Sequence, residues 1–199
     1  MLLLVHSAPT TLNKYRHPNL GVLSSPRRFY LDVEGWQWAA DNDAYSAWDE
    51  TRYRTMLTAV AKLPGCLFIT LPDVVGDGDA TLELHATWVD EVAATGKPVA
   101  LVGQDGMTPE MIPWKTINAI FIGGTTQWKM GPGALAIARE TKRRGLWLHM
   151  GRVNGHVRIR YANAIGCDSI DGTSASWFKD VYLAEFLNHV SGPPQLMIE

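Results

Sequence analysis

The hydrophobic pattern is one of short, unbroken apolar runs, at residues 2–5, 29–31, 38–40, 66–71, 99–102, 119–122 and 146–148. Each is the length of a strand. Runs that are apolar throughout, rather than alternating with polar residues, belong to strands covered on both faces, as in a parallel sheet. The mixed segment 166–170 adds an eighth candidate. Between the runs, apolar positions recur at helical spacing. Residues 49–63 open on Asp49, a capping residue, and set Tyr53, Met56, Leu57 and Val60 on one face. Residues 77–95 start acidic and stop before Gly96, and residues 133–144 end in Lys142, Arg143 and Arg144 before Gly145, where cations suit the negative end of a helix. A last helix is expected at 177–190, closed by Ser191, Gly192, Pro193 and Pro194. Residues 13–26 read as a long loop. The alternation of strand and helix predicts an α/β domain over residues 1–199, either a compact (β/α)8 barrel or an open doubly wound sheet.

Composition and charge narrow the setting. The 199 residues carry 18 Lys and Arg against 20 Asp and Glu, a net charge of −2, so no general positive field draws in nucleic acid or an anionic membrane. A polyanionic partner has to be met by a local patch. Two cysteines, Cys66 and Cys167, are too few for a disulfide framework or a four-thiolate zinc site. The first apolar run is broken by His6 and Pro9, short of a signal peptide or a membrane span. The expectation is a soluble, cytoplasmic protein that needs neither metal nor cofactor.

The chemistry concentrates where the apolar runs end, which in parallel α/β folds is where ligands bind. Asp41 and Asn42 follow 38–40, Pro72 and Asp73 follow 66–71, and Gly103, Gln104, Asp105 and Gly106 follow 99–102. Gly123, Gly124 and Thr125 follow 119–122, while His149, Met150, Gly151 and Arg152 follow 146–148. The last candidate strand, 166–170, runs into Asp171, Gly172 and Thr173. Carboxylates, a carboxamide and glycines that let a ligand approach backbone form a rim suited to a planar polar ligand such as a purine-like base. A further carboxylate there can attack a sugar carbon to give a covalent glycosyl intermediate.

In order and approximate spacing, Asp41-Asn42, Pro72-Asp73, Val102-Gly103-Gln104-Asp105-Gly106, Ile122-Gly123-Gly124, His149-Met150-Gly151 and Asp168-Ser169-Ile170-Asp171 resemble the tRNA-guanine transglycosylases. Their small phage-type relatives, the DNA 7-deazaguanine transglycosylases, are the nearer likeness. The resemblance spans about residues 38–173 and implies base exchange on a TIM-barrel scaffold, in which guanine leaves and a 7-deazaguanine base enters. By position it makes Asp171 the nucleophile, Asp41 the proton-transfer partner, and Asp73 and Gln104 the base-recognising pair. Gly123 or Gly124 would offer backbone to the base, and Met150 with Gly151 would pack on its face. The zinc subdomain and long basic insertions of the family's tRNA enzymes have no counterpart here, which directs the expectation to DNA.

Other readings of the same residues stand beside these. Asp171 can be a helix N-cap, Asp73 a turn carboxylate, and Asp168, three residues from Asp171, the active carboxylate instead. His149 reads as a hydrogen-bonded wall residue without catalytic work. Arg152 and Arg158 are the candidates for phosphate contact, and Trp36, Trp38 and Trp128 for stacking on a base. A partner protein or a homo-oligomer is a further possibility for gripping DNA. Exchange or hydrolysis on a free nucleoside or nucleotide is the alternative activity, and a silent base-binding module of the same fold the alternative class.

Overall fold

The computed structural model describes residues 1–13, 16–46 and 48–172. Eight parallel strands pair in chain order, and the last returns to the first to close a barrel. They are β1 (Leu2–Val5), β2 (Leu20–Ser24), β3 (Trp38–Ala40), β4 (Cys66–Thr70), β5 (Val99–Gly103), β6 (Ala119–Ile122), β7 (Trp147–Met150) and β8 (Ser169–Asp171). The helices are α1 (Pro9–Leu12), α2 (Glu50–Val60), α3 (Gly78–Ala93), α4 (Thr126–Lys129), α5 (Pro132–Arg143) and α6 (His156–Ala164). The fold is therefore an α/β barrel of the (β/α)8 type. Asp49 and Asp77 cap α2 and α3, each accepting a hydrogen bond from the amide three residues on, at Arg52 and Ala80.

Strand alternation divides the core in two. Leu4, Leu23, Ala39, Phe68, Val102 and Phe121 fill the barrel interior. Their neighbours Leu3, Val22, Leu101, Ile120, Leu148 and Ile170 pack in the outer layer against the helices, with Tyr53, Met56 and Val60 of α2. Two crossovers use packed loops where a barrel ordinarily has helices. Residues 25–37 lay Val33 and Trp36 over the strands, and residues 104–118, with a 3-10 turn at Pro109–Met111, bury Met107, Ile112 and Ile117. This economy lets the barrel close by Asp171.

Two expectations are corrected. The predicted loop 13–26 contains β2, whose Gly21 looks like a strand breaker. A Cβ at Gly21 would sit 2.7 Å from Leu4 Cδ2 and 2.8 Å from the Gln37 carbonyl, so close packing of β1 and the chain before β3 demands glycine. The apolar run 29–31 is not a strand: Ser25 and Arg28 bridge across a tight turn at Pro26, and Leu31 beyond it is 56% exposed. The helix expected at 177–190 lies outside the described residues.

Candidate active site

Carried one step past the apolar interior, alternation sets which side chains face the carboxyl-terminal mouth. Leu4 leads to His6, Ala39 to Asp41, Val102 to Gln104, Phe121 to Gly123, His149 to Gly151 and Ser169 to Asp171. His6, Asp41, Gln104, Gly123 and Asp171 line a cavity of about 250 Å³, joined by Asp73, Tyr45 and Arg152 from the loops. Glycine keeps the floor open: a Cβ at Gly151 would meet Phe121 Cε1 at 2.5 Å, and one at Gly123 would meet Gln104 Nε2 at 2.9 Å.

Asp171, at the end of β8, is held by two donors. The Arg152 amide donates to its Oδ1 at 3.0 Å, and His149 Nε2 lies 3.0 Å from its Oδ2. Burial works against its charge, but the imidazole, the Arg152 amide and nearby positive charge outweigh it and hold the Asp171 pKa below the ordinary carboxylate value. The amide is aimed by an unusual backbone: Arg152 adopts φ 57°, a left-handed conformation that a side chain of this kind rarely takes.

Asp41, one inward position past β3, has a different environment. Among the described residues its hydrogen bond comes from the Asn42 amide, at 2.8 Å to Oδ1. Burial, reinforced by the negative charge of Asp171 and then Asp73, pushes its pKa up to about 8. At neutral pH Asp41 therefore carries its proton while Asp171 is ionised.

Asp73 is clamped by two carboxamides. Asn42 Nδ2 donates to Oδ1 at 2.6 Å and Gln104 Nε2 to Oδ2 at 2.5 Å. The Gln104 carbonyl in turn accepts the Gly76 amide at 2.9 Å, while Asn42 is tied to the Leu71 carbonyl at 2.6 Å. Burial still holds Asp73 above the ordinary carboxylate value despite both donors and the nearby Arg152. These three side chains make one rigid wall of fixed donors and acceptors.

No protein-family model matches the sequence, and no curated protein matches it. Among solved structures, the PaMucR phosphodiesterase in a c-di-GMP complex aligns with a TM-score of 0.42 and 17% identity, covering 71% of this chain and 67% of that chain. A likeness of that size carries no argument about activity.

The structure brings Asp171, Asp41, Asp73, Gln104 and Gly123 together around one cavity, with Arg152 at its edge. Gly151 borders the floor beside Asp171. Gly124, at φ 67°, turns the chain away from the cavity over Trp128, and its carbonyl accepts a hydrogen bond from Arg152 Nη2. Met150 is corrected: it is fully buried in the outer layer, because Gly151 beside it faces inward and alternation sends Met150 the other way. Arg158 does not line the cavity; its guanidinium donates to the Arg152 carbonyl at 3.3 Å and buttresses that loop. Asp168 lies before β8, where it pairs with Lys142 at 2.6 Å and accepts the Leu148 amide, away from the cavity.

The tryptophans proposed for stacking are structural. Trp36 and Trp38 are buried, with Trp38 Nε1 donating to the Pro64 carbonyl at 2.6 Å, and Trp128 fills the space behind Gly124. The aromatic ring at the mouth is Tyr45, 68% exposed, with the Arg152 guanidinium 4.2 Å above its centre. Tyr45 and His6 are the site residues that the sequence reading did not single out, while His149 is the hydrogen-bonded wall residue it was read as. Behind the β7–α6 loop, Lys129 is buried, donates to the Gly151 carbonyl at 2.6 Å, and has its pKa lowered to about 8 by burial. Among the described residues no group of His, Cys, Asp or Glu is arranged to hold a metal, and no helix is long and apolar enough to cross a membrane.

Proposed function

We propose that this protein is a base-exchange glycosyltransferase that replaces guanine in DNA with a 7-deazaguanine base through a covalent glycosyl intermediate on Asp171. The observation that carries the reading is the pair of inward-facing carboxyls across one small cavity, Asp171 held by an imidazole and a main-chain amide and Asp41 by a main-chain amide alone. Two titratable groups pushed apart by their surroundings define an acid and a nucleophile. Asp171, ionised and oriented by two donors, attacks C1′ of the sugar. The C1′–N9 bond breaks, its electron pair leaves with the guanine, and Asp41 delivers its proton to the departing base. The incoming base gives its proton to the Asp41 carboxylate, its nitrogen attacks C1′, and Asp171 is released.

The recognition wall supports a nucleobase as the ligand. The Asp73 carboxyl, the second Nε2 hydrogen of Gln104 and the backbone beside Gly123 offer edge-on polar partners, while Val102, Phe121 and Leu4 supply apolar surface. Tyr45 and Arg152 at the mouth supply stacking and charge for the flanking nucleotide. The cavity's size also favours a second reading, exchange or hydrolysis on a free nucleoside or nucleotide. The test is incubation with guanine-containing DNA, or with deoxyguanosine, together with a 7-deazaguanine base, followed by mass analysis of the nucleosides. The deazaguanine nucleoside is expected in the digested DNA. Product from deoxyguanosine alone moves the activity to free nucleosides, and base binding without product under either condition leaves a silent binding module.

A further inference from the structure

The side chains beneath Asp171 form a chain of hydrogen bonds that the proposed reaction has not yet used. His149 is fully buried in the barrel interior, its ring 4.5 Å from Phe121 and 5.2 Å from Phe68. Its Nδ1 lies 2.8 Å from Ser169 Oγ and its Nε2 3.0 Å from Asp171 Oδ2. Trp147 Nε1 lies 2.9 Å from the same Ser169 oxygen. Phe121, His149 and Ser169 stand side by side in the register of β6, β7 and β8, so the alignment is set by the barrel.

The proton positions follow from the donor inventory. An indole nitrogen only donates, so Trp147 gives its hydrogen to Ser169 Oγ. An ionised carboxylate only accepts, so the Asp171 contact needs a hydrogen on His149 Nε2. Burial lowers the His149 pKa and keeps the ring neutral, which leaves Nδ1 bare and obliges the Ser169 hydroxyl to donate to it. Every polar atom is then satisfied, from Trp147 through Ser169 and His149 to Asp171. If Ser169 instead accepted from Nδ1, the carboxylate would face a bare Nε2, two acceptors 3.0 Å apart in a dry interior.

We propose that Trp147, Ser169 and His149 are a positioning relay that fixes the imidazole as its Nε2–H tautomer and thereby aims and keeps ionised the Asp171 carboxylate. Calling that carboxylate a nucleophile rests on the base-exchange reading; the relay itself does not. His149 and Ser169 touch no substrate, since the Asp171 carboxylate lies between them and the cavity. Among the described residues, the other charged or titratable groups around Asp171 and His149 are His6 on the β1 side, Asp41 on the β3 side, Lys129 behind the Gly151 carbonyl, and Arg152, whose main-chain amide is the second donor. Of these, only His149 offers the carboxylate a side-chain hydrogen bond.

The test is NMR on the intact protein, with no activity required. Nitrogen-15 signals of the His149 ring in the wild-type protein are expected to show protonated Nε2 and unprotonated Nδ1; the Nδ1–H tautomer or a doubly protonated ring would overturn the relay. Carbon-13 titration of Asp171 is then compared with variants. His149→Phe keeps a ring between Phe68 and Phe121 but removes the donor, and the Asp171 pKa is expected to rise by about one to two units. His149→Gln, which returns a side-chain N–H, is expected to recover most of that shift, and Ser169→Ala to release the tautomer while preserving the packing. An Asp171 pKa unchanged in His149→Phe and Ser169→Ala would refute the proposal. The wild-type tautomer decides it even if a variant does not fold. Absence of base exchange with an intact relay would count against the proposed function alone.

Discussion

The β3 wall and the β8 wall of the cavity each present an aspartate one inward position beyond the apolar interior, yet they hold it in different states. Asp41 receives one backbone amide and faces the carboxyls of Asp171, Asp73 and Asp43, and burial pushes its pKa up to about 8. Asp171 is half-buried as Asp41 is, but an imidazole and a left-handed backbone amide converge on it and hold its pKa low. Burial is the largest influence on both and pushes both upward. What differs is the neighbouring charge and the number and kind of donors, so the surrounding groups, and not depth, assign the two carboxyls to opposite proton tasks.

The comparison is broken most completely by removing the charge on the β8 wall. Asp171→Asn is expected to lower base exchange by at least about 10⁴-fold while base binding persists, measured by turnover beside equilibrium binding. Asp41→Asn keeps the shape of the β3 wall but has no acidic proton to deliver. It should cost about 10² to 10⁴-fold in turnover and remove the alkaline fall in activity expected of the wild type as pH passes about 8. Asp73→Asn leaves a single acceptor oxygen facing two carboxamide donors, so base affinity should fall about ten- to a hundredfold, seen as a raised KM.

A stability measurement sharpens the contrast further. Asp41 binds its proton more tightly in the folded chain than in the unfolded one, so that proton favours folding at low pH. Its loss penalises the fold increasingly from about pH 4 to about 8. Asp41→Asn should therefore raise Tm at pH 8 and change it little at pH 4, a gain in stability opposite in sign to the loss in activity. The smallest expected effect is at the mouth. Arg152→Ala should weaken DNA binding a few-fold and reduce the salt dependence of binding by about one counterion, read from titrations at several ionic strengths.

Much of this site was legible as periodicity. Counting by twos from the apolar interior reaches Asp41, Gln104, Gly123, Gly151 and Asp171, and the same count excludes Met150, whose proposed place on the base came from the sequence likeness alone. It also reaches His149, inward-facing two residues before Gly151, which the sequence reading made a hydrogen-bonded wall residue and whose bond to Asp171 it did not anticipate. β2 was hidden because Gly21, Ser24, Ser25 and Pro26 carry the signature of a loop, and the glycine there answers to a neighbour's side chain that sequence does not reveal. The protonation states were not legible, since they depend on donors from Asn42, His149 and Arg152 brought together only when the barrel closes.

The most direct test of the account is to trap the intermediate. The protein is incubated with guanine-containing DNA, quenched under denaturing conditions, resolved by electrophoresis and digested for peptide mass mapping. A denaturation-stable adduct on the peptide carrying Asp171, absent from Asp171→Asn, is the predicted result. An adduct that fragmentation of the peptide localises to Asp41 or Asp168, or deazaguanine incorporation in DNA by Asp171→Asn at the wild-type rate, would contradict it.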